Sequence, residues 1–219
     1  MKKLCVWLLA LLLAALPCAA LADAPEVGDI VTLGCYEQDG DASNGPEPIE
    51  WRVLDANGET ATLISQCGLD AKPYNDAYTA VTWETCTLRQ WLNGDFLNAA
   101  FTPEEQDRLQ TVTVAADANP EYKTNPGKDT QDRVFLLSID EAIGYFALDA
   151  DRACAPTKTA VENGAYVSKT GACWQWLRSP GQSIYFAARV SFDGSVHFLG
   201  SNVDRGSEAV RPVVVVRFE

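Results

Sequence analysis

A single histidine, His197, limits the catalytic chemistry open to this sequence. Most zinc hydrolases bind their metal through two or more imidazoles and are therefore excluded. No Gly-x-Ser-x-Gly turn is present, so a serine nucleophile would depend on His197 within a short hairpin. No two cysteines have the Cys-x-x-Cys spacing of zinc and thioredoxin motifs. We therefore expect no catalytic residues.

The sequence also lacks an apolar run of the ~20 residues that a membrane-spanning helix needs. Its long apolar run, at 4–16, follows two lysines and precedes a small-residue cleavage site that ends at Ala22. This three-part pattern is typical of a secretory signal peptide. We predict that residues 1–22 are a signal peptide and that residues 23–219 form a single domain. The protein is then secreted or held at the cell surface.

Positive charge is scarce. The chain has 17 Lys and Arg against 30 Asp and Glu, a net charge of −13, and loss of the two signal-peptide lysines would make it −15. Such an excess of negative charge repels phosphates and anionic lipids. We expect no nucleic-acid partner and no stable membrane insertion.

Five cysteines follow the predicted cleavage site, an odd number for an exported chain. Export permits disulfides. We predict a bridge between Cys154 and Cys173 across a loop-rich stretch, with Cys67–Cys86 as the second choice. Buried thiols are the alternative, since connectivity cannot be deduced from sequence.

The first half of the domain shows clear local signals. A strand at 29–33 and two strands at 49–55 and 60–65, joined at Asn57-Gly58, predict a β-meander. Apolar residues at i, i+3 and i+4 predict a helix at 85–93, which Gly94 should end. Capping boxes that begin at Thr102 and Ser138 predict two further helices.

The segments around which we expect the domain to close lie near its end. Trp174 and Trp176, two residues apart, belong on one face of a strand, and we assign that face to the core. An open aromatic platform for a sugar ring is the alternative. The β-branched run at 210–218 is typical of a central strand. We predict that these two segments lie in one small antiparallel sheet.

Two arginines belong to the same segments. Arg178 follows the tryptophans, and Arg211 begins the β-branched run. We assign both a structural role, buried and paired with acids such as Asp140 or Glu141.

Between these segments, an Asp-Gly turn joins two short alternating runs. A three-residue loop would place Arg189, Ser191 and His197 on one face and apolar residues on the other. Polar and aromatic residues of the types that adaptable binding surfaces use lie on this hairpin and its loops. The predicted ligand-binding residues are Gln182, Tyr185, Arg189, His197, Asn202, Asp204 and Arg205.

One acidic loop imitates a calcium-binding loop. Asp39, Asp41, Ser43, Glu47 and Glu50 supply oxygens at suitable spacing, but the glycine is one position late and no helices flank the loop. We expect no cofactor, with calcium at this loop as the alternative.

Several motifs stand in an order that resembles a known family. They lie at 34–41 (Gly-Cys-Tyr-Glu-Gln-Asp-Gly-Asp), 48–51 (Pro-Ile-Glu-Trp), 82–89 with 91–93, 135–141 (Phe-Leu-Leu-Ser-Ile-Asp-Glu), 176–181 (Trp-Leu-Arg-Ser-Pro-Gly) and 210–212 (Val-Arg-Pro). Together they resemble a bacterial family of exported proteins called domain of unknown function 6273. Their spacing is also similar to that of C-type-lectin-like domains and their formylglycine-generating-enzyme relatives.

This resemblance implies an α+β, C-type-lectin-like fold of mostly antiparallel sheets packed against a few short helices. The Glu-Pro-Asn and Trp-Asn-Asp pairs of calcium-dependent sugar binding are absent. We therefore predict a non-catalytic binding module that recognises an extracellular glycan or protein through its C-terminal hairpin. The alternatives are a thiol- or metal-dependent enzyme, in which Cys154 and Cys173 would be reactive, and a structural cell-envelope protein.

Overall fold

The structure, a computed structural model, describes residues 25–218. The signal peptide predicted for residues 1–22 lies outside the described residues. Among the residues that are described, no helix is long and apolar enough to cross a bilayer. Short helices pack against two five-stranded sheets, and a two-stranded ribbon completes the fold. This is the predicted α+β architecture with mostly antiparallel sheets.

The first sheet contains the predicted meander. In the turn that follows Ala56, Asn57 Oδ1 accepts the Thr60 N–H at 2.8 Å, and Gly58 adopts a φ of +86° that a residue with a Cβ rarely adopts. All neighbouring strands in this sheet are antiparallel. In the order β1-β2-β3-β12-β7, the sheet consists of β1 (Ile30–Tyr36), β2 (Glu47–Ala56), β3 (Thr60–Ser65), β12 (Val213–Arg217) and β7 (Val134–Phe135).

The second sheet carries the last hairpin at its edge. Its one parallel pair among the described strands joins Gln175–Pro180 to Ala209–Val210, and the other neighbouring strands are antiparallel. In the order β10-β9-β8-β11-β4, the strands are β10 (Val196–Asn202), β9 (Phe186–Val190), β8 (Gln175–Pro180), β11 (Ala209–Val210) and β4 (Asp70–Ala71). The separate ribbon pairs β5 (Val112–Val114) with β6 (Thr130–Asp132).

The tryptophan and valine segments do not lie in one sheet, contrary to the prediction. Ala209 pairs with Gln175 of β8, but the chain then crosses over, and Val213–Arg217 pairs with β3 and β7 in the first sheet. A run of four valines offers no polar face, so it requires a central position covered on both sides. The hairpin sheet leaves one face of β9 and β10 partly in solvent and cannot provide that position.

The helices are short, and one glycine behaves differently from the prediction. A π-helical turn, Leu92–Phe96, joins the first two helices, so Gly94 continues the helical run. Phe96 and Leu97 are buried beyond it, and this packing outweighs the helix-breaking tendency of glycine. The helices are α1 (Thr87–Trp91), α2 (Leu97–Ala100), α3 (Pro103–Arg108), α4 (Ile139–Gly144), α5 (Asp149–Arg152) and α6 (Lys158–Glu162).

Both predicted capping boxes are present, and one of them also holds a buried charge. In α4, the Ser138 hydroxyl accepts the Glu141 N–H at 3.1 Å, and the Glu141 carboxylate accepts the Ser138 N–H at 3.0 Å. The same carboxylate binds Arg178 through two nitrogens, with Nη2 to Oε1 at 2.7 Å. Arg178 is 3% exposed, so its charge is compensated by this acid and by carbonyl oxygens. A capping device thus positions a core ion pair.

Arg211 is buried but has no acidic partner among the described residues, which corrects the expected pairing. Its Nε donates to the Ser65 carbonyl at 2.7 Å, and its Nη1 donates to the Arg152 carbonyl at 2.9 Å. Gln175 Oε1 accepts a further bond at 3.4 Å. Asp140 remains exposed on α4. Carbonyl oxygens at the ends of β3 and α5, together with the Gln175 amide oxygen, therefore take the place of a carboxylate.

We expect Glu141→Ala to destabilise the protein by about 3 kcal/mol, since it removes a helix cap and leaves the Arg178 charge buried without its acid. The double variant Glu141→Leu/Arg178→Met should recover most of that loss, because no unpaired charge then remains. Urea unfolding measures both effects. Glu104→Ala, at an exposed acid in the first turn of α3, is the matched control. An equal effect at Glu104 and Glu141 would contradict this account.

Candidate functional site

The last hairpin presents one polar face, as its alternation predicted. Val196 pairs with Val190 and His197 pairs with Arg189, and the loop 192–194 contains three residues. The Ser191 N–H donates to the Ser195 carbonyl at 2.8 Å and closes the loop. Arg189, Ser191 and His197 therefore share a face, although the pairs differ by two positions from those that the loop prediction implied. A shift of two residues preserves the face.

The turn end of the hairpin is fixed to the body of the protein. The buried Arg152 of α5 donates from its Nε to the Gly194 carbonyl at 2.8 Å. Gly194 has a φ of +84° and packs directly against the Asp149 carbonyl, so a side chain would not fit there. The turn is therefore held against α5 through Gly194, while Phe192 and Asp193 remain exposed.

On the polar face, Arg189 lies over an aromatic stack. Its guanidinium carbon is 4.3 Å from the centroid of the Trp174 ring, and the Tyr166 ring stacks on Trp174 at 4.0 Å and 18°. One indole face cannot hold both groups at these distances, so they cover opposite faces. Trp174 is thus a half-buried surface residue, whereas Trp176 is 2% exposed in the core. The two tryptophans do not share the core face that we predicted, and Trp174 is not an open sugar platform.

Near Arg189 lies a buried acid, Glu208, that sequence reasoning missed. Glu208 is 0% exposed, and its Oε1 has no hydrogen-bond partner, while Oε2 accepts a bond from the Ser207 hydroxyl at 3.2 Å. Burial raises the pKa of this carboxyl, against the influence of Arg189 and Arg205 nearby. The Arg189 Nε is also buried without a partner. No local pattern marks Glu208, because a lone glutamate between a serine and an alanine resembles a surface residue.

His197 is oriented for a structural or binding role. Its Nδ1 accepts the Gly200 N–H at 3.1 Å, so the proton of the neutral ring is on Nε2. A Ser-His-Asp arrangement needs the opposite tautomer, with Nδ1–H donated to an acid. Partial burial lowers the pKa of the imidazole, and the Arg189 charge lowers it further. The only histidine in the sequence is therefore neutral at neutral pH and is not part of a catalytic triad.

The open end of the hairpin gathers most of the predicted ligand-binding residues. We call this surface the hairpin rim. Tyr185 is 40% exposed, and its ring lies 5.4 Å from that of Tyr78, which is 51% exposed. The Val203 N–H donates to the Tyr185 carbonyl at 3.1 Å and fixes the two loops together. The rim consists of Tyr78, Gln182, Tyr185, Asn202, Asp204 and Arg205, all exposed.

The rim and the polar face are therefore separate groups within the predicted site. Arg189 and His197 are half-buried on the face, while the other five predicted residues lie at the rim. Tyr78 belongs to the rim but was not predicted, since it comes from a distant loop with no regular pattern. Only the sheet places that loop beside Tyr185.

Cys154 and Cys173 are brought together but are not bonded, so the predicted disulfide is absent from the structure. Their sulfurs lie 3.7 Å apart, well beyond the ~2.05 Å of a disulfide. The Cys173 thiol also lies 3.3 Å from the Cys154 carbonyl. The contact between the two thiols lowers the pKa of Cys154 and raises the pKa of Cys173, which burial raises further. The second choice, Cys67–Cys86, is likewise unbonded.

The acidic loop forms a small carboxylate cluster. Glu37, Asp39 and Glu47 each offer an oxygen within 4.8 Å of the others. These carboxylates already bind the loop itself, since Glu47 accepts the Gln38 N–H at 2.7 Å and Asp39 accepts the Asn44 amide at 2.9 Å. A hydrogen-bonded hairpin loop therefore accounts for the cluster, which we do not assign as a metal site.

The protein is thus an α+β domain with a polar and aromatic rim at the edge of its second sheet. The model of a family described as domain of unknown function (DUF6273) matches residues 58–218. This match covers well over half of the 219 residues, and the chain belongs to that family. No curated protein matches the chain, and no solved structure matches it. Its function must be argued from the site.

The His197 environment leads to a prediction for its titration. The single histidine resonance should titrate below the ordinary value of 6.5 in NMR spectra. Arg189→Met should raise this pKa, since it removes a neighbouring positive charge, whereas Arg205→Met should not. Because the unfolded chain binds the proton more tightly, His197 should reduce stability as the pH falls below about 6.5. A titration above 6.5 would contradict the described environment.

Proposed function

We propose that this protein is an exported, non-catalytic binding module with a C-type-lectin-like fold. It recognises an extracellular glycan or protein through its hairpin rim. The observation that carries the proposal is the exposed pair of tyrosines, Tyr78 and Tyr185, surrounded by uncharged and charged polar residues. Tyrosine supplies contact area at low entropic cost, and the amides and the guanidinium supply adaptable hydrogen bonds. Exposed aromatic residues that are not required for packing are typical of recognition surfaces.

The side-chain inventory agrees with binding rather than catalysis. The only imidazole uses its Nδ1 as an acceptor, and the rim carries no nucleophile beside a base. Asn202, Asp204 and Arg205 make no side-chain hydrogen bond or ion pair within the described residues, so their polar groups are available to a partner. The rim thus supplies donors and acceptors of both signs.

Glycan arrays and extracts of cell surfaces provide the test. We expect saturable binding that Tyr185→Ala or Arg205→Ala weakens by at least about tenfold, equivalent to about 1.4 kcal/mol. Arg217→Ala removes the same side chain as Arg205→Ala from an exposed position on β12 in the first sheet and should bind normally. If both rim variants bind as tightly as the unaltered protein, the rim is not the binding surface. If the protein binds no glycan and no surface protein, it is not a binding module of this kind.

A second candidate function is thiol chemistry, and one observation favours it. Cys154 and Cys173 are unbonded, and the contact between them lowers the pKa of the Cys154 thiol. A thiolate is the nucleophilic form of cysteine. Both residues are buried, at 7% and 0% exposure, so any reagent would need a local opening to reach them.

Alkylation followed by mass spectrometry tests this second candidate. If the pair is reactive, iodoacetamide should modify Cys154 in the native protein faster than Cys86. Cys86 is a suitable control because it is equally buried and burial raises its pKa to about 12. A Cys154–Cys173 disulfide in the exported protein, or equal rates at Cys154 and Cys86, would rule out thiol chemistry at this pair.

A further inference from the structure

A cleft outside the hairpin rim offers a second site. It has a volume of about 410 Å³ and lies between the segment after β4 and the helical run that begins with α1. A cavity of this size holds one small molecule. Pro73 and Leu88 form its apolar part. Its polar and aromatic lining consists of Lys72, Asp76, Thr87, Gln90, Trp91 and Asp95.

The π-helical turn shapes one wall of this cleft. Trp91 immediately precedes the turn and Asp95 lies within it, and both line the cavity. A π-helical turn is less stable than regular helix and is often found at functional sites. The apolar side of the same turn buries Leu92 and Phe96 in the core, which holds the wall in place.

The charges of the cleft are not neutralised by each other. The Lys72 ammonium lies 4.7 Å from the centroid of the Trp91 ring. The carboxylates of Asp76 and Asp95 form no hydrogen bond or ion pair within residues 25–218. By contrast, the exposed carboxylate of Asp193 accepts the Ser195 hydroxyl at 2.6 Å in its own turn. Groups of both signs therefore line one cleft while remaining available to a ligand.

We propose that this cleft binds a small zwitterion, an α-amino acid, with its carboxylate at Lys72 and its ammonium at Asp76 or Asp95. One positive and two negative groups leave the cleft with a net charge of −1. The second carboxylate is then available to a cationic side chain, so basic amino acids bind best and acidic ones worst. The site goes beyond the proposed function, since it involves no residue of the hairpin rim.

A neutral sugar fits this cleft less well. Sugar rings stack on open aromatic faces, and the Lys72 ammonium already lies over the Trp91 ring. The Phe96 ring packs 5.3 Å from the same indole and restricts it further. A sugar would have to displace the ammonium, whereas the carboxylate of an amino acid would be attracted to it.

The test is isothermal titration calorimetry on the protein expressed from its full sequence. At low salt, L-arginine should bind more tightly than L-leucine, and L-glutamate should bind weakest. Arginine methyl ester lacks the carboxylate and N-acetylarginine lacks the ammonium, and each should lose about tenfold in affinity. The Trp91 indole N–H resonance should shift on binding in NMR spectra, which places the ligand in the cleft.

Two variants with matched controls complete the test. Lys72→Gln and Asp95→Asn should each weaken arginine binding by about tenfold. Lys169→Gln and Asp107→Asn make the same charge changes at exposed residues that have no partner among the described residues, and they should bind normally. Circular dichroism verifies that all four variants fold.

Three results would overturn the site. They are the absence of saturable binding up to about 10 mM amino acid, arginine affinity unchanged in both cleft variants, and binding of glucose or N-acetylglucosamine in preference to amino acids. Since the rim test uses Tyr185 and Arg205, failure of one proposal leaves the other standing.

Discussion

The guanidinium of Arg211 joins the two sheets of this protein. It lies in the crossover between β11 and β12 and donates to the carbonyl of Ser65, at the end of β3 in the first sheet. It also contacts Gln175 at the start of β8 in the second sheet and the Arg152 carbonyl. Backbone carbonyls at the end of β3 and at the end of α5 thus accept hydrogen bonds from the guanidinium at the point where the chain changes sheets. The position of the hairpin relative to the core depends on this crossover.

This arrangement leaves the proposed binding surface at a sheet edge. β10 is the outer strand, and an exposed edge could pair with other chains. Its register shifts between His197 and Ser201, and Gly200 adopts a φ of +80° there. Such a bulge twists an edge away from regular pairing while turning nearby side chains outward. The same irregularity places Asn202 at the rim and lets the Gly200 N–H reach His197.

Local sequence patterns predicted much of this structure, whereas the features that depend on pairing between distant segments were not predicted. The meander, both capping boxes and the shared face of Arg189 and His197 depend on residues close in sequence. The choice of sheet for the valine run does not depend on nearby residues. A run without a polar face fits any central strand position that is covered on both sides, so the sequence does not specify which sheet it joins. The burial of Arg178 and Arg211 was predicted, but that of Glu208 and Asn119 was missed, because it depends on distant partners. Asn119, fully buried, donates to carbonyls of Pro180 and Phe198 and thereby attaches a long loop to the hairpin.

The rim and the cleft are physically connected through one segment of the chain. Asp76 lines the cleft, and Tyr78, two residues later, pairs with Tyr185 at the rim. Immediately before Asp76, the Asn75 N–H donates to the Val203 carbonyl at 2.8 Å, and the Asn75 side-chain amide donates to the Ala77 carbonyl. The segment that supplies Asp76 to the cleft is therefore held to the hairpin by hydrogen bonds, so this wall of the cleft and the Tyr78 side of the rim belong to one hydrogen-bonded unit.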